Sequence, residues 1–271
     1  MNSYLKIGLL LASVMVVSCE STLETSLASL RTETIRIDSI SDIVMIDDTL
    51  VRPILYQNIP SFKGLPVDVS KRSFIAVVLP GALIARYKLA QKRQRILALS
   101  QKKIWVTEDS VFYSSQSDRF KATGVKDLLA RMRTHPNSIL LAQAAEESGW
   151  GSSRFFRQAN NLFGIWSYNE DEPRVQARVA RQGKKAVYLR KYDDLSESIM
   201  NYYETVGRTR AYKNFRKART QTQEVTDLLP HLKYYSERRE AYVEQLKTII
   251  RQNDLTQYDH HQIDPKYFVA E

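Results

Sequence analysis

The stretch Ala142-Gln-Ala-Ala-Glu-Glu-Ser-Gly-Trp-Gly151 limits this chain's folding options more than any other. Its small residues suit a helix packed closely on several sides. Gly149 supplies the stop, because helices commonly end on a residue in the left-handed region. Two neighbouring carboxylates, Glu146 and Glu147, therefore fall in the last turn. A second segment, Asn160-Asn-Leu-Phe-Gly-Ile-Trp166, follows shortly as a loop rich in amides and aromatics. The frame around these two segments must be largely helical, and it must bring carboxylate, amide and aromatic groups together. That set of groups suits cleavage of a sugar linkage, which needs a proton donor and a partner to stabilise the cationic sugar carbon.

Neighbouring residues on a helix project about 100° apart. Glu147 shares a face with Leu140 and Ala144, and Glu146 with Ile139 and Gln143, so periodicity alone does not choose between them. Both sit where the helix dipole disfavours negative charge. The adjacent carboxylate and partial burial act in the same direction, favouring a protonated acid near neutral pH. A pair of solvated surface glutamates is the competing reading. Other chemistries are poorly supplied. No glycine-rich phosphate loop is present, and His260-His261 stand without a clustered carboxylate, so no metal or other cofactor is expected.

At the N-terminus, Lys6 precedes the apolar run Ile7 to Val17, which is short for a bilayer span and reads as an export signal over residues 1–18. Val16-Val17-Ser18-Cys19 resembles the bacterial lipobox, and that resemblance implies a lipid on Cys19 that tethers the chain to a membrane. Glu20 in turn leans toward the outer membrane, facing the periplasm. Cys19 is the only cysteine, so no disulfide is expected. Loss of the signal removes one positive charge, Lys6, from a formal net +10. An anionic partner follows from this balance. An exported lipoprotein has little access to nucleic acid. Peptidoglycan peptides, anionic polysaccharide and lipid headgroups fit better.

The remaining chain divides into a Ser- and Thr-rich tether (19–45), an N-terminal helical extension (46–120), a main domain (121–255) and a frayed tail (256–271). In the extension, Val67 to Ser100 has helical spacing that Pro80-Gly81 is expected to kink or split, and Ile104 to Ser117 reads as a polar connector. Asn137 or Ser138 is expected to cap the small-residue helix. Lys185 to Tyr192 is strand-like and pairs into a small hairpin, followed by helices to Gln252. The fold class is α+β, mostly helical.

Ala144-Ala-Glu-Glu-Ser-Gly-Trp-Gly151 together with Asn161-Leu-Phe-Gly164 resembles the glucosaminidase domain of glycoside hydrolase family 73. Asn160 to Trp166, Tyr235-Ser-Glu-Arg238 and the Arg72-Ser-Phe-Ile75 region are similar to its bacterial Bax-like branch, over about residues 60 to 252. The resemblance implies a lysozyme-like lobe and a peptidoglycan hydrolase cleaving after N-acetylglucosamine, with Glu147 as general acid. It implies sugar contacts from Trp150, Asn161, Phe163, Trp166 and Tyr192, and from Tyr234 or, alternatively, Tyr235. The family places a second carboxylate on a hairpin after Asn-Leu-Phe-Gly. Here the insert reads Asn169-Glu-Asp-Glu-Pro173, leaving Glu170 and Glu172 as the candidates, with Asp171 beside them. A glycan-gripping module without turnover and a lytic transglycosylase are competing readings. Transglycosylases usually follow their Glu-Ser with Gly-Leu-Met-Gln, which is absent here.

Overall fold

The computed structural model describes residues 29–177 and 186–269. The expected signal and Cys19 lie outside the described residues. Four short strands come first: β1 Ser29–Leu30, β2 Glu33–Arg36, β3 Leu50–Val51 and β4 Ile54–Gln57. Helices α1 Val67–Gln101, α2 Thr107–Phe120, α3 Val125–Arg131, α4 Asn137–Ser148 and α5 Arg154–Ala159 follow. Next come strands β5 Trp166–Ser167, β6 Arg174–Gln176 and β7 Tyr188–Arg190. The chain continues through α6 Leu195–Arg208, α7 Lys213–Ala218, α8 Val225–Leu228 and α9 Glu240–Gln252, then β8 Gln262–Ile263 and β9 Phe268–Val269. The fold is α+β and mostly helical.

α1 is the axis of the core. It passes through Pro80 without breaking, contrary to the sequence expectation. Proline removes a backbone donor and crowds the preceding turn. Here every residue from Ser73 to Ala85 is buried, so packing on all sides holds the helix together. Gly81 makes room for it: a Cβ there would lie 3.3 Å from Leu195 Cβ, and its absence lets α6 cross closely. α1 is long and apolar enough to cross a bilayer, but its apolar stretch is mostly covered by protein.

The expected connector after α1 is instead the helix α2. Its polar composition hid it, because packing stabilises a surface helix more than propensity does. Phe120, 1% exposed, anchors its end against Gly207, where a Cβ would meet the ring at 2.5 Å.

The expected tether and tail are also corrected over their described residues. β1 pairs antiparallel with β9, β2 parallel with β4, and β3 parallel with β8. Ile37 and Ile43 from one end and Leu255 and Tyr267 from the other are buried in the core. These strands are two to four residues long, too short for a readable alternation.

The tail also corrects the expected cap of α4. Neither Asn137 nor Ser138 caps the helix with its own side chain. Asp259 accepts from Ser138 N at 2.7 Å and from Ser138 Oγ at 2.8 Å. Asn137 donates to the Tyr258 carbonyl at 2.8 Å and accepts from Arg86 at 2.6 Å. A carboxylate from the end of the chain thus holds the start of the carboxylate-bearing helix. After α4 and α5, three strands form an antiparallel sheet in the order β5-β7-β6.

Candidate active site

α4 ends abruptly. Ser148 Oγ donates to the Ala144 carbonyl at 2.6 Å and accepts from Gly151 N at 3.0 Å. Gly149, Trp150 and Gly151 then take three consecutive positive φ values of 58°, 54° and 79°. At Gly151 a Cβ would come within 2.9 Å of the Phe62 ring and 3.0 Å of the Phe156 ring. Gly149 and Gly151 are therefore steric requirements of the turn, and Ser148 fastens it by hydrogen bonds, leaving Glu146 and Glu147 at the helix end.

The two carboxylates have different surroundings. Glu146 forms an ion pair with Arg238. Glu147 stays open to solvent along its side chain, while its Oε1 accepts a hydrogen bond from Tyr242 Oη, on α9, at 3.1 Å. Protein surrounding the carboxyl raises its pKa above the ordinary value, and the Glu146 charge adds to the rise. The Tyr242 hydrogen bond and the Arg238 charge oppose it without cancelling it.

Tyr242 is the outer end of a buried relay. Gln143 Nε2 donates to Tyr242 Oη at 3.1 Å, and Tyr202 Oη donates to Gln143 Oε1 at 2.6 Å. Tyr202 Oη also lies 2.9 Å from His135 Nε2. The single Tyr202 hydroxyl proton points at Gln143, so His135 must carry its proton on Nε2. Its Nδ1 is left without a partner, consistent with that tautomer. In this arrangement every donor along the chain points toward Glu147. Tyr235 stacks on Tyr242 with centroids 5.4 Å apart and planes 7° from parallel. Tyr212 lies 5.9 Å from Tyr235. Burial first, then the Glu147 charge, raises the pKa of both, that of Tyr212 to about 12. The sequence reading preferred Tyr234, but that residue is 48% exposed among Lys233 and Arg239, and Tyr235 takes the place beside Tyr242.

The other aromatic and amide candidates separate into structural and open positions. Asn161 is 2% exposed and fully engaged. It donates to the carbonyls of Ile165 and Arg190 at 2.9 and 2.8 Å and accepts from Ile165 N at 2.9 Å, tying the loop to β7. Phe163 is buried and stacked on Tyr202 at 4.3 Å. Trp150 packs edge-on against Phe74 at 5.5 Å under Lys71. Asn161, Phe163 and Trp150 therefore build the frame. Trp166, in contrast, is 54% exposed beside Tyr168, and both line an open cavity of about 410 Å³ with Arg190, Thr205 and Arg208. Tyr192 is buried with its hydroxyl unpartnered, and burial pushes its pKa to about 12.

The acidic insert divides in the same way. Glu170 is 87% exposed and reaches Arg174 at 3.4 Å. Glu172 is 18% exposed and pairs with Arg190 at 2.7 Å, with its other oxygen enclosed and unpartnered. Burial raises the Glu172 pKa, but hydrogen bonds from Ser167 and Arg190 and the Arg190 charge outweigh it, for a net lowering.

Tyr242, Gln143, Tyr202 and His135 were not singled out as site residues by sequence. The one available signal was Gln143, three residues before Glu146 and four before Glu147, and hence a helical neighbour of both carboxylates. The other three come from separate elements.

A carboxyl group whose pKa is raised at the solvent boundary, with a tyrosine hydroxyl bonded to it, is the kind of group that general-acid cleavage of a sugar linkage uses. Residues 122–255 match the family model described as Mannosyl-glycoprotein endo-beta-N-acetylglucosaminidase, so this segment is a glucosaminidase-family domain. The chain is 25% identical to Protein bax of Escherichia coli over 211 residues, covering 72% of this chain and 74% of that protein. It is 27% identical to Exo-glucosaminidase LytG of Bacillus subtilis over 195 residues, covering 69% of this chain and 65% of that protein. The catalytic domain of the autolysin Auto from Listeria monocytogenes overlaps 63% of this chain and 97% of its own length, at 24% identity and a TM-score of 0.39. The glycoside hydrolase domain of FlgJ from Salmonella typhimurium overlaps 52% and 90%, at 23% identity and a TM-score of 0.38. These superpositions are partial, and family membership rests on the sequence match.

Proposed function

We propose that the protein is a peptidoglycan hydrolase, an endo-acting β-N-acetylglucosaminidase that cleaves the β-1,4 bond after N-acetylglucosamine. The observation that carries this reading is the raised pKa of Glu147 at the end of the Ser-Gly-Trp-Gly stop. Glu147 gives its proton to the glycosidic oxygen as the bond to the sugar carbon breaks, the leaving chain departs neutral, and water adds to that carbon with loss of a proton to leave a reducing hydroxyl end. Glu172 has the opposite environment, with a pKa lowered by hydrogen bonds and by the paired Arg190 guanidinium, which suits a carboxylate that stays ionised. In this reading Glu172, rather than Glu170, is the second carboxylate. Trp166 and Tyr168 offer exposed rings on which sugar faces stack. Tyr235 and Tyr242 hold the donor.

Digestion of purified sacculi tests this directly. The parent protein releases new reducing N-acetylglucosamine ends on fragments longer than a disaccharide. Glu147→Gln releases none while keeping its folded circular dichroism spectrum; full activity in that variant sinks the assignment. Release of disaccharides alone would indicate the exo action named for the Bacillus relative, and anhydromuramic ends would indicate a transglycosylase. The ion pair locking Glu172 to Arg190 favours one alternative, a glycan-binding module that sediments with sacculi and releases no fragments.

The same reading places the protein in the cell envelope, held by lipid on Cys19 and facing the periplasm from the outer membrane. Incorporation of labelled palmitate that disappears in Cys19→Ser is the expected result.

A further inference from the structure

We infer that the cavity between α1 and the C-terminal strands binds an anionic headgroup, phosphate or carboxylate, carried on an apolar body. It encloses about 640 Å³, and Arg86, Arg93 and Arg133 all line it. Among the described residues, no carboxylate lines this cavity. Arg86 donates to neutral acceptors, the His135 carbonyl at 3.2 Å and Asn137 Oδ1 at 2.6 Å. Arg93 donates to the Leu129 carbonyl at 3.1 Å, and Arg133 forms no ion pair among the described residues. Burial and the neighbouring Arg133 charge together lower the Arg93 pKa. Like charges held together without a counter-ion repel one another, and a bound anion relieves that repulsion. Guanidinium groups in particular match the oxygen geometry of phosphate and carboxylate. His261, also on the wall, has an enclosed Nδ1 without a hydrogen-bond partner.

The rest of the lining explains the apolar body. Ala90, exposed, and Tyr87 and Phe268, half-buried, present apolar surface to the cavity, with Leu83, Met132 and Ile263 buried behind them. Tyr87 and Phe268 close one side with ring centroids 5.2 Å apart. A bare inorganic ion would leave this surface wet, whereas an alkyl or acyl chain next to the charged group would cover it. The cavity shares no lining residue with the Trp166 cavity, and the inference does not depend on the proposed hydrolase activity.

Titration calorimetry on the purified full chain tests the site with three probes: dihexanoyl phosphatidic acid, dihexanoyl phosphatidylcholine and inorganic phosphate. Saturable binding of the phosphatidic acid is expected, about tenfold or more weaker in the double variant Arg93→Gln, Arg133→Gln. Arg133→Gln alone, at an exposed position with no ion pair among the described residues, should weaken binding in the same direction. Hydrolysis of sacculi by both variants should match the parent. Phosphate binding as tightly as phosphatidic acid assigns the site to the free ion and refutes the apolar half of the inference. No saturable binding, equal binding of the phosphatidylcholine, or unchanged affinity in both variants overturns it.

Discussion

Glu147 sits between neighbours that act on its proton in opposite directions, and single substitutions separate them. Glu146→Gln removes a like charge and frees Arg238, both of which favour the ionised form of Glu147. The alkaline limb of the pH profile of kcat/KM should move toward acid. Tyr242→Phe removes the hydrogen bond that favours the ionised form, so the same limb should move toward alkali. That variant also leaves Gln143 Nε2 without its acceptor, a loss of about 1–3 kcal/mol in denaturant unfolding. Equal limbs in both variants would remove Glu147 from the proton-donor role. The sign extends to stability. A carboxyl whose pKa is raised on folding contributes stability that is complete below its unfolded pKa and lost as pH rises through the folded value. Glu147→Gln should therefore gain stability relative to the parent as pH rises through that range. The neighbouring pair Glu146 and Glu147 was legible in the sequence. Which one has the raised pKa was not, because Arg238 and Tyr242 arrive from the turn before α9 and from α9 itself, about ninety residues later.

Among the elements, the loop after α5 shows how an amide that looks like a ligand contact serves the backbone. Asn161 makes three hydrogen bonds to the loop and β7, and none of its polar atoms is left over for a sugar. Asn161→Ala should destabilise the fold by about 1–3 kcal/mol, seen as a lower urea midpoint, and lower kcat by displacing the Trp166 strand. Unchanged stability would show that the loop is held by other contacts. The motif was visible in sequence because the local turn demands its residues, as at Gly151 with positive φ and two phenyl rings in contact range. α1 shows the opposite case. Pro80 is a strong local signal for a break, and it is overridden because the helix is buried along Ser73 to Ala85. Local rules read well where the constraint is local and fail where surrounding helices supply it.

At the scale of the whole molecule, the family segment does not contain everything that holds it together. α1 supplies the buried surface from Ser73 to Ala85, and Asp259 caps α4 from beyond residue 255. A chain limited to residues 122–255 should therefore lack a cooperative thermal transition, while residues 29–269 melt as one unit. In the intact chain, Asp259→Ala should remove about 1–2 kcal/mol of stability, measured by chemical denaturation. A cooperative melt of the short fragment would show that α1 and the tail are accessories. The sequence alone determined the helical class, the family motifs and the abrupt stop that exposes two carboxylates, since helix periodicity and left-handed glycine turns are properties of neighbouring residues. Only the tertiary structure decided that the ends of the chain pair with each other, that Tyr235 rather than Tyr234 stands beside Tyr242, and that Glu147 is the carboxyl whose pKa is raised. Those outcomes depend on burial and on charges brought close by folding, and residues far apart in the chain carry no mark of that proximity.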